Sequence, residues 1–483
     1  MKAPGAGWTW PMRTDQLMRL LWAAALVTLP VSSFRYFPIF GESTLVRPLA
    51  VYPVALLFAL LLLQWLRGTI RFPWAGSTIL LFVFALAVLA ATGAGAVFAP
   101  IPMRGQTYFG RALRAWASLS IGMLFFLSAA AMNRTQADAK FTCRWILVGF
   151  GLTLAWSALQ AMTFYTGLLD KETVTHWQLA FSMRELVRTN RISGLAYEPA
   201  WLAGQIATLY APILFAAILT GLRLTSARWL EPALLALAFA LVLATYSRGG
   251  ILIALGAAAL TLVLAGGGAL RAGWSWFLYG LRRSGRGALS RIGLVVLIVA
   301  VVIGTFAFLS QKNYFRRLWE ISAGSFGEYI IDVNAGARTA YAVGALASFH
   351  QHPLTGAGLG ASGFHIYQNL PDWSLTTVTE IARQLNPANL LYPNAKNMYV
   401  RLLAEAGLAG LIFFIVFQGS VLADSLTGLR RAGWQRFLGI AGLFAWLAIS
   451  LYNITQDSLT TPNLWLIPGM LAGLSLEFQQ APA

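Results

Sequence analysis

Three arginines stand where an otherwise apolar sequence turns polar. Arg191 lies in "RTNRISGLAYEPAWLAGQ" (188–205), seven residues before Glu198. Arg248 lies in "TYSRGG" (245–250), beside Tyr246, and Arg338 lies in "AGARTAY". A guanidinium carries a planar fork of N–H donors that matches phosphate oxygens and keeps its charge at any physiological pH. Three of them turned on one cavity make an anion site. Taken singly, each is an ordinary interfacial anchor, and that plain reading suits Arg188 and Arg401 best. It suits Arg248 least, because Gly249 and Gly250 permit close backbone approach and the hairpin is short. Glu198 and His365, in "SGFHIY", carry side chains that could move a proton. His352, before Pro353, reads as a structural turn residue, and His176 has no supporting context.

The elements that must position these groups are membrane helices. Of the 483 residues, 58% are hydrophobic and 11% charged, where a soluble domain carries about 25% charged. A bilayer core needs about 20 mostly apolar residues per helix. Twelve windows qualify: 17–34, 49–66, 77–99, 112–132, 144–165, 199–219, 229–246, 250–265, 292–310, 398–423, 437–453 and 462–476. The expected fold is therefore all-α, a polytopic membrane protein of about twelve spans. The start of the chain shows no signal-peptide cleavage pattern and runs into the first span. With the N-terminus in the cytoplasm, the inner segments hold 18 lysines and arginines against six in the short outer loops. The positive-inside rule then puts both termini inside. The hairpin of Arg248 and the long segments near 167–198 and 311–397 face outside. A structureless segment as long as the second is improbable. Its apolar spacing over 337–350 and amphipathic stretch over 373–385 predict a helical cap between spans nine and ten. The chain thus divides into spans one to nine (1–310), the cap (311–397) and spans ten to twelve (398–483). The Gly- and Arg-rich connector around 266–291 reads as interfacial and non-catalytic. With this sidedness, the natural ligand of an outer arginine cluster is a lipid diphosphate entering from the outer leaflet.

Several function classes drop out. One cysteine, Cys143, allows no internal disulfide and no cysteine metal cluster, and the four histidines show no zincin spacing. The net charge of +18 reads as positive-inside loops and attraction to anionic headgroups. It does not read as nucleic-acid binding, because no such motif accompanies it. "GAGLG" (356–360) follows no strand and lies in no βαβ unit, so it reads as a tight turn and not a dinucleotide site. No internal repeat is evident.

Taken in order, "RISGLAYEP", "TYSRGG", "ARTAYAVGALASFHQHPLTGAGLG" and "NAKNMYVRLLAEAGLAG" resemble the O-antigen ligase and Wzy-type polymerase superfamily of bacterial surface polysaccharide assembly. The likeness covers about residues 185 to 412, and the many-span topology extends it over the chain. It implies a metal-independent, GT-C-like glycosyltransferase at the periplasmic face of the inner membrane, without a cofactor. The implied donor is a glycan on undecaprenyl diphosphate. The acceptor is a second lipid-linked repeat unit in a polymerase, or lipid A–core in a ligase. Membrane lipids and other polysaccharide assembly proteins are the implied partners. Arg191, Arg248 and Arg338 fall on the family's arginine positions, which implies contact with the donor diphosphate, supported by Tyr246 and Asn397. One departure matters. The family commonly places a His-Asn pair before the "YLxLLAExGLxG"-like helix, and here the pair reads Lys396–Asn397. Lys396 therefore stands either as the base or as a group that holds a phosphate, and Glu198 and His365 are the alternative bases. The polymerase is the favoured reading over the ligase, and a transporter or flippase and a non-catalytic scaffold are the rivals from other classes.

Overall fold

The computed structural model of the chain describes residues 12–36, 45–186, 190–282, 286–316, 328–329, 331, 335–386, 388–389 and 391–480. Arg188 lies outside them. Among the described residues the chain is all-helical, with three isolated β-bridges and no strand. All twelve expected windows are helical over most of their length. In chain order the helices of the first part are α1 (Met12–Thr28), α2 (Val51–Leu66), α3 (Gly76–Val97), α4 (Tyr108–Met132), α5 (Gln136–Thr166) and α6 (Lys171–Leu179). Next come α7 (Pro199–Thr220), α8 (Leu230–Ala244), α9 (Arg248–Ala265), α10 (Gly267–Arg282), α11 (Arg286–Ser310) and α12 (Asn313–Arg316). The cap holds α13 (Gly336–Gln351), α14 (Ser362–Ile366), α15 (Asp372–Thr377) and α16 (Thr379–Leu385). The chain closes with α17 (Met398–Leu429), α18 (Gly433–Tyr452) and α19 (Leu466–Gln480).

Eight of these helices are long and apolar enough to cross a membrane, against the twelve expected: α3, α4, α5, α7, α9, α11, α17 and α18. The other four have 15 to 17 residues, so each spans about 22–26 Å at 1.5 Å per residue, short of a 30 Å core. Local chemistry accounts for two of their ends. α1 stops at Thr28, two residues before Pro30, where a ring without an N–H closes a helix. α8 stops where Tyr246 takes a left-handed backbone, φ 48°.

α7 lies at the centre, with 83% of its apolar window buried. Pro199 sits in its first turn, where the missing N–H costs nothing. A π-helical turn interrupts it at Ile206–Tyr210. Small residues let helices close on it: a Cβ on Gly204 would meet the Tyr452 ring at 2.6 Å. At the periphery, none of the apolar window of α11 is buried. The connector helix α10 exposes Leu270, Trp274, Trp276 and Tyr279.

Among its described residues, the expected cap segment 311–397 is largely helical. α13 matches the 337–350 pattern closely. The 373–385 stretch is two short helices, because Val378 (φ −105°, ψ 99°) is extended between them. A small core, formed by Ala337, Ala340, Tyr341, Ala345, Ile366, Ile381 and Ala395 with Ala404 of α17, holds these helices together. The cap docks on α17, whose backbone breaks at Gly407 (φ 63°, ψ −164°). Through that break the turn after α13 pairs with both halves of the helix. Ala357 and Gly358 donate to Ala404 O and Glu405 O, each at 2.9 Å, and Leu408 donates to Pro353 O at 2.9 Å.

Candidate functional site

The first polar loop reaches the Arg248 hairpin. Arg191 Nε donates to Thr245 O at 2.9 Å and Nη2 to Tyr246 O at 3.4 Å. This fixes the arginine against the turn that carries Arg248. The loop is itself pinned from below by Gln160 of α5. The Gln160 amide is fully buried, accepts from Ser193 N at 3.0 Å and Gly194 N at 2.9 Å, and donates to Gly194 O at 3.1 Å. In the hairpin, Ser247 caps α9 by accepting from Gly250 N at 3.3 Å. Gly250 must be glycine here, since a Cβ would lie 2.4 Å from Ala203. Tyr246 holds φ 48° without being glycine, and a strained backbone of this kind persists only where its surroundings hold it.

The hairpin in turn meets the connection between α18 and α19, residues 453–463. A Cβ on Gly249 would sit 3.9 Å from Thr455 Cγ2, and Arg338 of the cap donates to Thr455 O at 2.5 Å. Lys396, at φ 56°, donates its backbone N–H to Asp457 Oδ2 at 2.9 Å, and Met398 N donates to Asn453 O at 2.8 Å. Asn397 spends its side-chain oxygen on the first turn of α17, accepting from Tyr399 N and Val400 N at 3.0 and 3.1 Å. The elements bearing Arg191, Arg248, Arg338, Tyr246, Lys396 and Asn397 therefore meet at one end of the bundle, around residues 453–457.

Glu198 belongs to the same end. It is exposed, precedes α7, and its charge acts on Arg184, on the neighbouring Tyr197 and on the Tyr452 hydroxyl, which also feels Arg338. Arg184 donates from Nη1 to Tyr197 O at 2.5 Å. Burial pushes its guanidinium pKa down, and Glu198 partly opposes that. Burial and the Glu198 charge push the Tyr197 phenol up.

His365 sits elsewhere. It lines a small cleft with Gly95, Phe98, Pro100, His352 and Gly356, and none of the three arginines lines it. His352 stacks on Phe98 at 5.5 Å between ring centroids. Burial, then the charge of His352, holds the His365 imidazole below its usual value. Gly356, Gly358 and Gly360 have φ of 66°, 98° and 84°, which makes "GAGLG" a tight turn. His176 is exposed on α6.

Arg401 is not an interfacial anchor. It is 4% exposed and pairs with Glu405, 2% exposed, at 2.9 Å. It also donates to Asp457 O at 2.6 Å, and Ser362 Oγ donates to Glu405 Oε1 at 2.6 Å. This network joins the cap, α17 and the 453–463 connection. An arginine and a glutamate four residues apart on one helix was the available signal. Arg184 and Gln160 carry no such pattern in the sequence. The connection "NITQDSLTTPN" reads as a gap between two apolar windows, although an acid in so short a connection is a signal.

Among the described residues no group of three or more His, Cys, Asp or Glu side chains gathers to hold a metal. Guanidinium groups suit an anion and a carboxylate can accept a proton, and the elements that carry both reach this end. No family model and no curated protein matches the chain.

Proposed function

We propose that the chain is an inner-membrane glycosyltransferase that polymerises lipid-linked repeat units of a bacterial surface polysaccharide at the periplasmic face. In this reading the four shorter apolar helices join the eight long ones as spans, both termini lie in the cytoplasm, and the cap end faces the periplasm. The donor is a glycan on undecaprenyl diphosphate. The acceptor is a second lipid-linked unit, and lipid A–core takes that place in the ligase version of the same chemistry.

The observation that supports this most is the meeting of three arginine-bearing elements, distant in sequence, around residues 453–457 at one end of the bundle. A hydroxyl of the acceptor attacks the anomeric carbon of the donor sugar. The bond to the diphosphate breaks, its electron pair leaves on the phosphate oxygen, and Arg191, Arg248 and Arg338 stabilise the charge that gathers there. The cap holds the acceptor in line. A transporter would place its substrate site near the mid-plane between repeated halves. The polar groups described above gather at one end.

The test is a strain deleted for the gene and complemented with wild type, Arg248→Ala or Arg338→Ala. Wild type restores long-chain polysaccharide, and each variant, expressed at wild-type level, leaves single lipid-linked units. Full polymer from both variants contradicts the diphosphate site. Loss of glycan from lipid A–core with polymer intact replaces the polymerase by the ligase.

A further inference from the structure

The transfer needs a group that takes the acceptor proton, and the expected bases are not placed alike. His365 lines the cleft with His352 and Phe98. Lys396 is tied by its backbone to Asp457, and an ammonium has no lone pair until it has lost a proton. Glu198 is exposed and stands before the first turn of α7. A carboxylate holds a lone pair at neutral pH. The Tyr197 carbonyl, in the peptide unit directly before Glu198, accepts from Arg184 at 2.5 Å. The charged and titratable groups around Glu198 are Arg184 and Tyr197, with Arg191 and Glu185 acting on those two, Tyr452 of α18, and Arg338 acting on Tyr452. Arg184 thus lies within electrostatic reach of one accessible carboxylate, at the end where Arg191 grips the Arg248 hairpin.

We propose that Glu198 is the general base of the transfer, and that Arg184 is the residue that positions it. This rests on the transferase reading above. One Glu198 carboxylate oxygen takes the proton of the acceptor hydroxyl as that oxygen bonds to the anomeric carbon. The sugar–phosphate bond breaks, the diphosphate leaves with the electron pair, and Glu198 returns the proton to water. Arg184 touches no substrate. It holds the peptide before Glu198 and keeps a positive charge beside the carboxylate.

The experiment uses the purified full chain in lipid nanodiscs. The donor and acceptor are the lipid-linked glycan that accumulates in the deletion strain, and undecaprenyl diphosphate is the binding probe. Glu198→Gln binds the probe within about threefold of wild type and loses transfer by about 10²–10⁴-fold. Wild-type transfer falls on acidification along one limb, as a carboxylate base requires. Arg184→Ala binds the probe like wild type and loses transfer by about tenfold, and Arg184→Lys recovers part of that loss. Transfer by Glu198→Gln within threefold of wild type overturns the proposal. So does full transfer in Arg184→Ala, or a rate that rises into alkaline pH and loses that rise in Lys396→Gln. If wild type binds no undecaprenyl diphosphate and transfers nothing, the transferase reading falls, and the base assignment with it.

Discussion

At the scale of single residues, Arg191 does two things at once. Two of its guanidinium nitrogens hold the carbonyls of Thr245 and Tyr246, so it shapes the hairpin as well as presenting charge. Arg191→Lys keeps the charge and loses the paired geometry. We expect transfer to fall about tenfold for Lys and 10²–10³-fold for Ala, measured as polymer formed by membranes of equal protein content. The Arg401–Glu405 pair is a different case. Removing one partner strands a buried charge, which costs about 3–5 kcal/mol. Glu405→Ala should therefore lower the thermal midpoint far more than Glu185→Ala, on an exposed residue. His365 gives a pH dependence with a defined sign. Its folded pKa lies below its ordinary value, so the unfolded chain binds the proton first as pH falls. The cap should lose stability on acidification below about 6.5, and His365→Asn should flatten that slope in a thermal-shift series.

At the scale of elements, the join between the cap and α17 depends on Gly407. Its φ is 63°, and a Cβ there would lie 2.3 Å from Leu354 O. Gly407→Ala meets both the strain and the clash, and should free the cap to limited proteolysis between residues 352 and 397 while the spans stay intact. How much was legible in the sequence divides along the same lines. Helix positions followed from apolar runs, and the tight turn of residues 356–360 from its glycines. The α13 cap helix followed from its spacing, and the split between α15 and α16 did not. The three arginines could be picked out one by one, because each interrupts an apolar pattern. Their common meeting point could not, since it is the short polar connection 453–463, whose backbone carbonyls and single acid leave almost no pattern. The Gln160 clamp is invisible for a related reason: one amide in a span does not say which loop it holds. Gln160→Leu should release residues 193–194 and reduce transfer while leaving the thermal midpoint within a few degrees.

At the scale of the whole molecule, every inference about chemistry depends on which side the cap end faces. Cys143 is fully buried, so single cysteines can be labelled against a quiet background. A membrane-impermeant maleimide on cells with a permeabilised outer membrane should label Trp373→Cys in the cap and leave Arg228→Cys, in the turn before α8, unlabelled until the inner membrane is opened. The reverse pattern would put the arginines in the cytoplasm, where no lipid-linked glycan has yet been flipped outward. The most direct measurement is transfer by the pure chain alone. Given lipid-linked glycan in vesicles, without nucleotide or ion gradient, wild type should produce lipid-linked products of two or more units and release one undecaprenyl diphosphate for each new glycosidic bond, and Arg248→Ala should produce neither. Movement of glycan across the vesicle membrane without a new glycosidic bond, or equal product from wild type and variant, would contradict it.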